Sequence, residues 1–382
     1  MLSGGGIMEK VKFNNGKLRI LQISDAQDLH WVRKTMLKML ESACEDLKPD
    51  LIVFTGDNIL GNHLRDYRFS SKKKEMSKTE EFELMRTALA HILDIPERRN
   101  IPFAVIYGNH DDMNSFTGDE QAEIFRSYSM NRGFENTGDL CGTYRLPVYS
   151  SDGEKQLLNL WMINTSWHDK ELDRCFNDIT EKQVEWFKNE SLSQKEANDG
   201  KPYPSLVFMH IPLEELKDLA EECAPEESTI TMTNDNLRLK KGVFGHIHET
   251  VSALENDNGF YKEVLADGGV MGIVSGHDHL NDFYGEKDGI KFVQTPCASF
   301  RCYGNPHRGV RIFDIYESNP SDFYTRTVYY KELCGDNIIS DFRLFWDADE
   351  YEKKKFAVLG ALAAGTALVG GAVAVAKLLK KK

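Results

Sequence analysis

The chain has 382 residues, 41% hydrophobic and 28% charged, with a formal net charge of −13. That much apolar material offsets the entropy of ordering, which excludes a disordered, collagen-like or disulfide-scaffold chain. The acidic balance argues against a protein that grips nucleic acid through bulk charge, and a mean hydropathy of −0.45 excludes a polytopic membrane protein.

Residues 1–17 read as a leader without the apolar core or cleavage pattern of a secretory signal, and Met8 is an alternative start. Residues 18–24 read as a strand, followed by a helix over 31–48 with Val32, Met36, Leu40, Ala43 and Leu47 at helical spacing. Residues 51–55 and 101–107 form two more strands. Between them lie a charged insertion over 65–81, where Lys72, Lys73 and Lys74 read as a solvated run, and a helix over 84–93. Strands follow at 157–164, 205–209 and 270–275, with a helix over 180–190 and a polar turn region over 193–204. The end of the body, 309–316 and 323–330, alternates as β-structure. Such strand–helix alternation with appended strands means a layered α/β fold.

The tail differs from the body. Residues 353–382 hold seven lysines and no acidic residue, so without them the −13 becomes −20. Between the lysines, residues 356–376 are an uninterrupted run of Phe, Ala, Val, Leu, Gly and one Thr. A membrane helix needs about 20 such residues, which predicts a transmembrane helix over 356–376. With that segment at the C-terminal end, the expected topology is a single-pass anchor with the large domain, 18–350, in the cytoplasm. Small residues recurring every four positions read as an ordinary Ala/Gly-rich helix rather than a packing motif. The seven cysteines show no C-x-x-C spacing and read as reduced thiols, mostly core filler.

Five polar clusters each follow an apolar strand. They are Asp25-Ala26-Gln27, Gly56-Asp57-Asn58, Gly108-Asn109-His110-Asp111, His210, and Gly276-His277-Asp278-His279. Ligands of open α/β sheets bind at the carboxyl ends of strands, so the five converge on one place. They offer oxygen and imidazole ligands and no thiolate, the donor set of a two-metal centre.

This ordered set resembles the calcineurin-like metallophosphoesterase superfamily, whose pattern is D-x-H, G-D-x-x, G-N-H-[DE], H and G-H-x-H. The resemblance covers about 18–330. The run Gly276 to Phe283, with Arg308-Gly309-Val310-Arg311, is similar to a branch related to purple acid phosphatases. The resemblance implies a four-layer α/β/β/α sandwich and a phosphoester substrate, a monoester before a diester. It implies that Asp57 bridges two divalent metals, since a carboxylate spans cations about 3.5–4 Å apart. One metal takes Asp25, Gln27 and His279; the other takes Asn109, His210 and His277. A hydroxide between them attacks phosphorus in line, His110 protonates the leaving-group oxygen or stabilises its charge, and Asp111 orients His110.

Two departures stand out. The family's first-motif His is Gln27 here, a weaker neutral donor, and His30 is a competing ligand. Purple enzymes carry a metal-binding Tyr three residues after the bridging Asp, and that position is Leu60, which favours Mn, Fe or Zn over a purple iron centre. Gln27 also leaves a rival open: a membrane-tethered, metal-binding scaffold of the same fold without catalysis. Gly245-His246-Ile247-His248 also matches G-H-x-H, but it follows a poor strand and reads as a loop near the substrate. Arg301, Tyr303 and His307 read as phosphate contacts or as an ordinary polar loop, and Trp161, Trp167 and Trp186 as core or rim aromatics.

Overall fold

The computed structural model describes residues 10–169, 174–304, 306–350, 353–355 and 357–362. Five strands build one sheet in the spatial order Asn319–Tyr329, Gly309–Tyr316, Lys17–Ile23, Leu51–Thr55, Phe103–Ile106. The last three pair in parallel, while the first two form an antiparallel hairpin at their side. Leu51–Thr55 and Phe103–Ile106 are buried at every residue, as parallel strands covered on both faces must be. Helices Lys34–Leu47 and Lys78–Glu97 are their crossovers, and right-handed connections put both on the same outer face.

A seven-stranded sheet lies against the inner face. Its spatial order is Val11–Lys12, Tyr144–Tyr149, Gln156–Met162, Ser205–Phe208, Val270–Ser275, Ile290–Gln294, Tyr284–Lys287. Alternation along its central strands assigns two cores. Leu160, Met162, Leu206, Phe208, Val274 and Val293 join the core shared with the first sheet. Trp161, Val207, Ile273 and Phe292 face the other way, against helices Glu181–Ala197 and Phe260–Asp267. The layers are therefore helix, sheet, sheet, helix, the mixed α/β sandwich expected above.

Several boundaries moved for identifiable reasons. Helix Lys78–Glu97 begins well before residue 84, because Ser77 and Glu80 close a reciprocal capping box. The first helix begins at Lys34 rather than near Trp31, since the Asp28 carboxylate accepts from the Arg33 amide and holds Arg33 extended. Strand Tyr144–Tyr149 was not expected at all; Pro147 interrupts its sequence signal, yet Tyr144, Leu146 and Val148 alternate inward.

Most of the segment 356–376 lies outside the described residues. Among the described residues no helix is long and apolar enough to cross a membrane. Residues 357–362 are helical and exposed.

Phe208 meets Phe313 across the two sheets with ring centroids 5.9 Å apart and no solvent exposure. Phe208→Ala should cost about 3–5 kcal/mol of stability, because a packed inter-sheet core collapses only partly around a cavity. Chemical denaturation of the purified protein measures the loss.

Candidate metal centre

The carboxyl ends of Lys17–Ile23, Leu51–Thr55, Phe103–Ile106, Ser205–Phe208 and Val270–Ser275 bring the five clusters together. The loops there are tightly wound. Asp25, Gln27, Asp57 and His277 all adopt left-handed backbone, with φ of 51°, 32°, 49° and 73°. Such conformations are uncommon outside glycine and cost on the order of 1–3 kcal/mol each. Backbone bonds between the loops hold them: Asp25 N–H to Gly56 O at 3.1 Å, and Gln27 N–H to Asp57 O at 2.8 Å. Two glycines permit the approach. A Cβ on Gly108 would lie 2.3 Å from both the Asp57 amide nitrogen and Oδ1, and one on Gly56 would lie 2.6 Å from His210 Nδ1.

Asp25, Asp57 and His210 are fully buried and form one candidate metal group. His210 Nε2 lies 3.3 Å from Asp57 Oδ1 and 3.9 Å from Asp25 Oδ1. His279 Nε2 lies 3.4 Å from Asp25 Oδ1. Both imidazoles are fixed from behind, with Nδ1 on the Thr55 carbonyl at 2.9 Å for His210 and on the Tyr303 carbonyl at 2.9 Å for His279. In the neutral ring, this backbone anchoring selects the tautomer whose Nε2 lone pair faces the centre. Asn109 Oδ1 stands 3.2 Å from His210 Nε2. The His277 amide donates to Asp25 Oδ2 at 3.1 Å, and its ring packs edge-on to His210. Gln27 Nε2 donates to Asp57 Oδ2 at 3.0 Å.

These residues fit a pair of divalent cations. Asp25 Oδ1 and Gln27 Oε1 are buried oxygens without a hydrogen-bond partner, an arrangement that costs free energy unless a cation or donor completes it. The electrostatics agree. Burial opposes ionisation of Asp57, yet His210, His110 and His277 outweigh it and hold the carboxyl well below its usual range. Burial likewise opposes charge on His210, but Asp57 and Asp25 push its pKa up to about 10. His277 goes the other way, down to about 4, through burial and the neighbouring His210 charge.

The candidate ligands Asp25, Gln27, Asp57, Asn109, His210, His277 and His279 thus meet in one place. His30 does not join them: its ring packs edge-on to Trp31 at 4.3 Å, where burial and the Lys74 charge lower its pKa to about 4. Leu60 lines the cleft with an apolar side chain that cannot bind metal.

One expectation needs correction. Asp111 does not orient the His110 ring. Its carboxylate accepts from the Gly108, Asn58 and Ile59 amides and from the Asn58 side chain, stapling the second loop to the third. Burial and the Asp57 charge push its pKa up to about 7. The His110 ring is held instead by Asn62, 3.1 Å from Nδ1, while the His110 amide donates to Asp57 Oδ1 at 2.8 Å. For Arg301, left open above between a phosphate contact and an ordinary polar loop, the structure supports the loop reading. Arg301 is buried against Asp28 and the carbonyls of Trp31 and Glu350, and Arg308 holds the carbonyls of Ser299 and Cys302. Tyr303 stacks on His279 with centroids 4.1 Å apart. It borders, with His63, Cys302 and Glu350, a cleft of about 270 Å³ that also contains His110.

The family pattern of calcineurin-like phosphoesterases matches residues 18–281, well over half of the chain, and the chain belongs to that family. It is 26% identical over 329 residues to probable inactive purple acid phosphatase 29 of Arabidopsis thaliana, across 77% of this chain and 75% of that one. It is also 26% identical over 330 residues to phosphatase DCR2 of Saccharomyces cerevisiae, across 80% of this chain and 49% of that one. The crystal structure of a dimetal phosphatase from Danio rerio shares the fold, with a TM-score of 0.50 at 12% identity, over 82% of this chain and 96% of that chain.

Metal uptake by this site should release protons. With its pKa near 10, His210 is protonated at neutral pH in the metal-free protein and must lose that proton before Nε2 can bind a cation. Apparent affinity should therefore rise with pH up to about 10, with about one proton released from His210. Calorimetric titration with Zn²⁺ or Mn²⁺ in buffers of differing ionisation enthalpy measures the count.

Proposed function

We propose that the chain is a metal-dependent phosphoesterase that hydrolyses phosphate monoesters in preference to diesters. The observation that carries this reading is the pair of unpartnered buried oxygens, Asp25 Oδ1 and Gln27 Oε1, beside His210 and His279. Asp57 would bridge two cations, with Asp25, Gln27 and His279 on one side and Asn109, His210 and His277 on the other. Two Mn, Fe or Zn ions held there supply a nucleophilic water at neutral pH and stabilise charge on phosphorus. The chain's own contribution is geometric and protonic. Asn62 Oδ1 accepts from His110 Nδ1, which leaves Nε2 of the imidazolium to give its proton to the departing oxygen. Asp111 keeps the Asp57 loop in register, so its effect on catalysis is indirect.

With p-nitrophenyl phosphate and added Mn²⁺ or Zn²⁺, Asp57→Asn should abolish nearly all turnover. His110→Ala should lower kcat by about 10²–10⁴ while metal content is retained. Wild-type rates in both variants would sink the assignment. A second reading is motivated by Gln27, a neutral amide that donates to Asp57: a metal-binding scaffold of the same fold. It requires full metal loading with no turnover of p-nitrophenyl phosphate or its bis-ester.

For the tail we infer a single membrane span over 356–376 with the catalytic domain on the cytoplasmic side. Its lysine flanks support the span, though not its direction, as do the exposed Ile338, Phe342 and Phe345 on the helix that precedes it. The full chain should resist alkaline carbonate extraction and a variant ending at Glu350 should not, while protease added to intact cells should leave the domain uncut.

A further inference from the structure

The second G-H-x-H run, at 245–248, lies outside the metal centre but is not a free loop. Its backbone is zipped to the segment that follows His279. The His246 amide donates to Asp282 Oδ1 at 2.7 Å, the His248 amide to Asn281 Oδ1 at 2.9 Å, and the Asp282 amide to the His246 carbonyl at 3.0 Å. Between the two histidines Ile247 is buried, so alternation turns both imidazoles to the other side. There they stand nearly parallel, at 12°, with centroids 5.7 Å apart. His307 arrives from a third segment, 4.8 Å from the His246 ring and 5.6 Å from the His248 ring.

We propose that His246, Asp282 and His307, with His248 as a fourth donor, form a separate mononuclear site for a divalent transition metal such as Zn²⁺. Ligand atoms of the first three lie within 4.8 Å of one another. Metal bonds of about 2.0–2.2 Å put tetrahedral ligand atoms about 3.4 Å apart, so small side-chain rotations close the site. Three imidazoles and one carboxylate without a thiolate suit Zn²⁺, Cu²⁺ or Ni²⁺ better than Mg²⁺ or Ca²⁺. The carboxylate is already oriented. Asp282 is buried, the Tyr329 hydroxyl donates to Oδ2, and Oδ1 is left facing His246 Nδ1 at 3.0 Å. His246, with its side chain 46% exposed, gives access from solvent. An ion here ties three separate stretches of chain together, and it does not depend on phosphoester hydrolysis.

The test is zinc stoichiometry on the full chain. His246→Gln with His307→Gln should lose one equivalent of Zn²⁺ and keep the equivalents bound at Asp57. Asp57→Asn should show the converse, so failure of either site is read separately. Unchanged stoichiometry in the double variant overturns the proposal. A measurement on the unaltered protein guards against misfolding: Zn²⁺ should protect His246 from diethyl pyrocarbonate, followed by mass spectrometry. Equal modification with and without Zn²⁺ also overturns it.

Discussion

Two ionised carboxylates buried at the ends of adjacent strands set the terms for this molecule. Asp25 and Asp57 have no solvent to screen them, and burial alone would drive both towards the neutral acid. The architecture answers by surrounding them with imidazoles and backbone donors. His210, His277 and His279 come from the second sheet, and the His110 amide from the first. The sandwich has to hold these two edges in register because the charge balance spans both sheets. Strained backbone at four of the clustered residues is the local cost of the arrangement.

Much of this was legible because the pattern is local. Apolar runs ending in Asp, Asn or His identify a strand and its catalytic edge in the same few residues, and five such runs place the site before any contact is known. What was not legible is long-range. Arg301 sits in a polar loop of the sequence, and nothing near it signals the partner Asp28, 273 positions away. Asn62 lies in an unremarkable loop, and its role appears only once that loop folds beside His110. The role expected of Asp111, orienting His110, came from the family resemblance and not from any signal in its own surroundings. In a short helix successive side chains diverge, and Asp111 turned back to the Asp57 loop instead.

Gln27 and Leu60 are the two departures from the family pattern at the centre. The amide of Gln27 reaches the position where it meets Asp57, so the geometry of a ligand survives the loss of an imidazole. A neutral oxygen binds a cation less tightly than an imidazole, so a metal held through Gln27 would be the weaker of the proposed pair. Leu60 closes the cleft with an apolar wall and takes the phenolate chemistry of purple iron off the menu.

Arg33 and Arg301 both donate to the Glu350 carbonyl, and Glu350 itself borders the cleft. The body of the chain therefore ends at the mouth of the site, clamped there by two guanidinium groups. From Glu350 to residue 356 the chain spans at most about 20 Å when extended. Whatever holds the tail thus stands within that leash of the opening. Under the anchoring proposed above, the reach of that tether would act with the shape of the cleft in selecting what enters it.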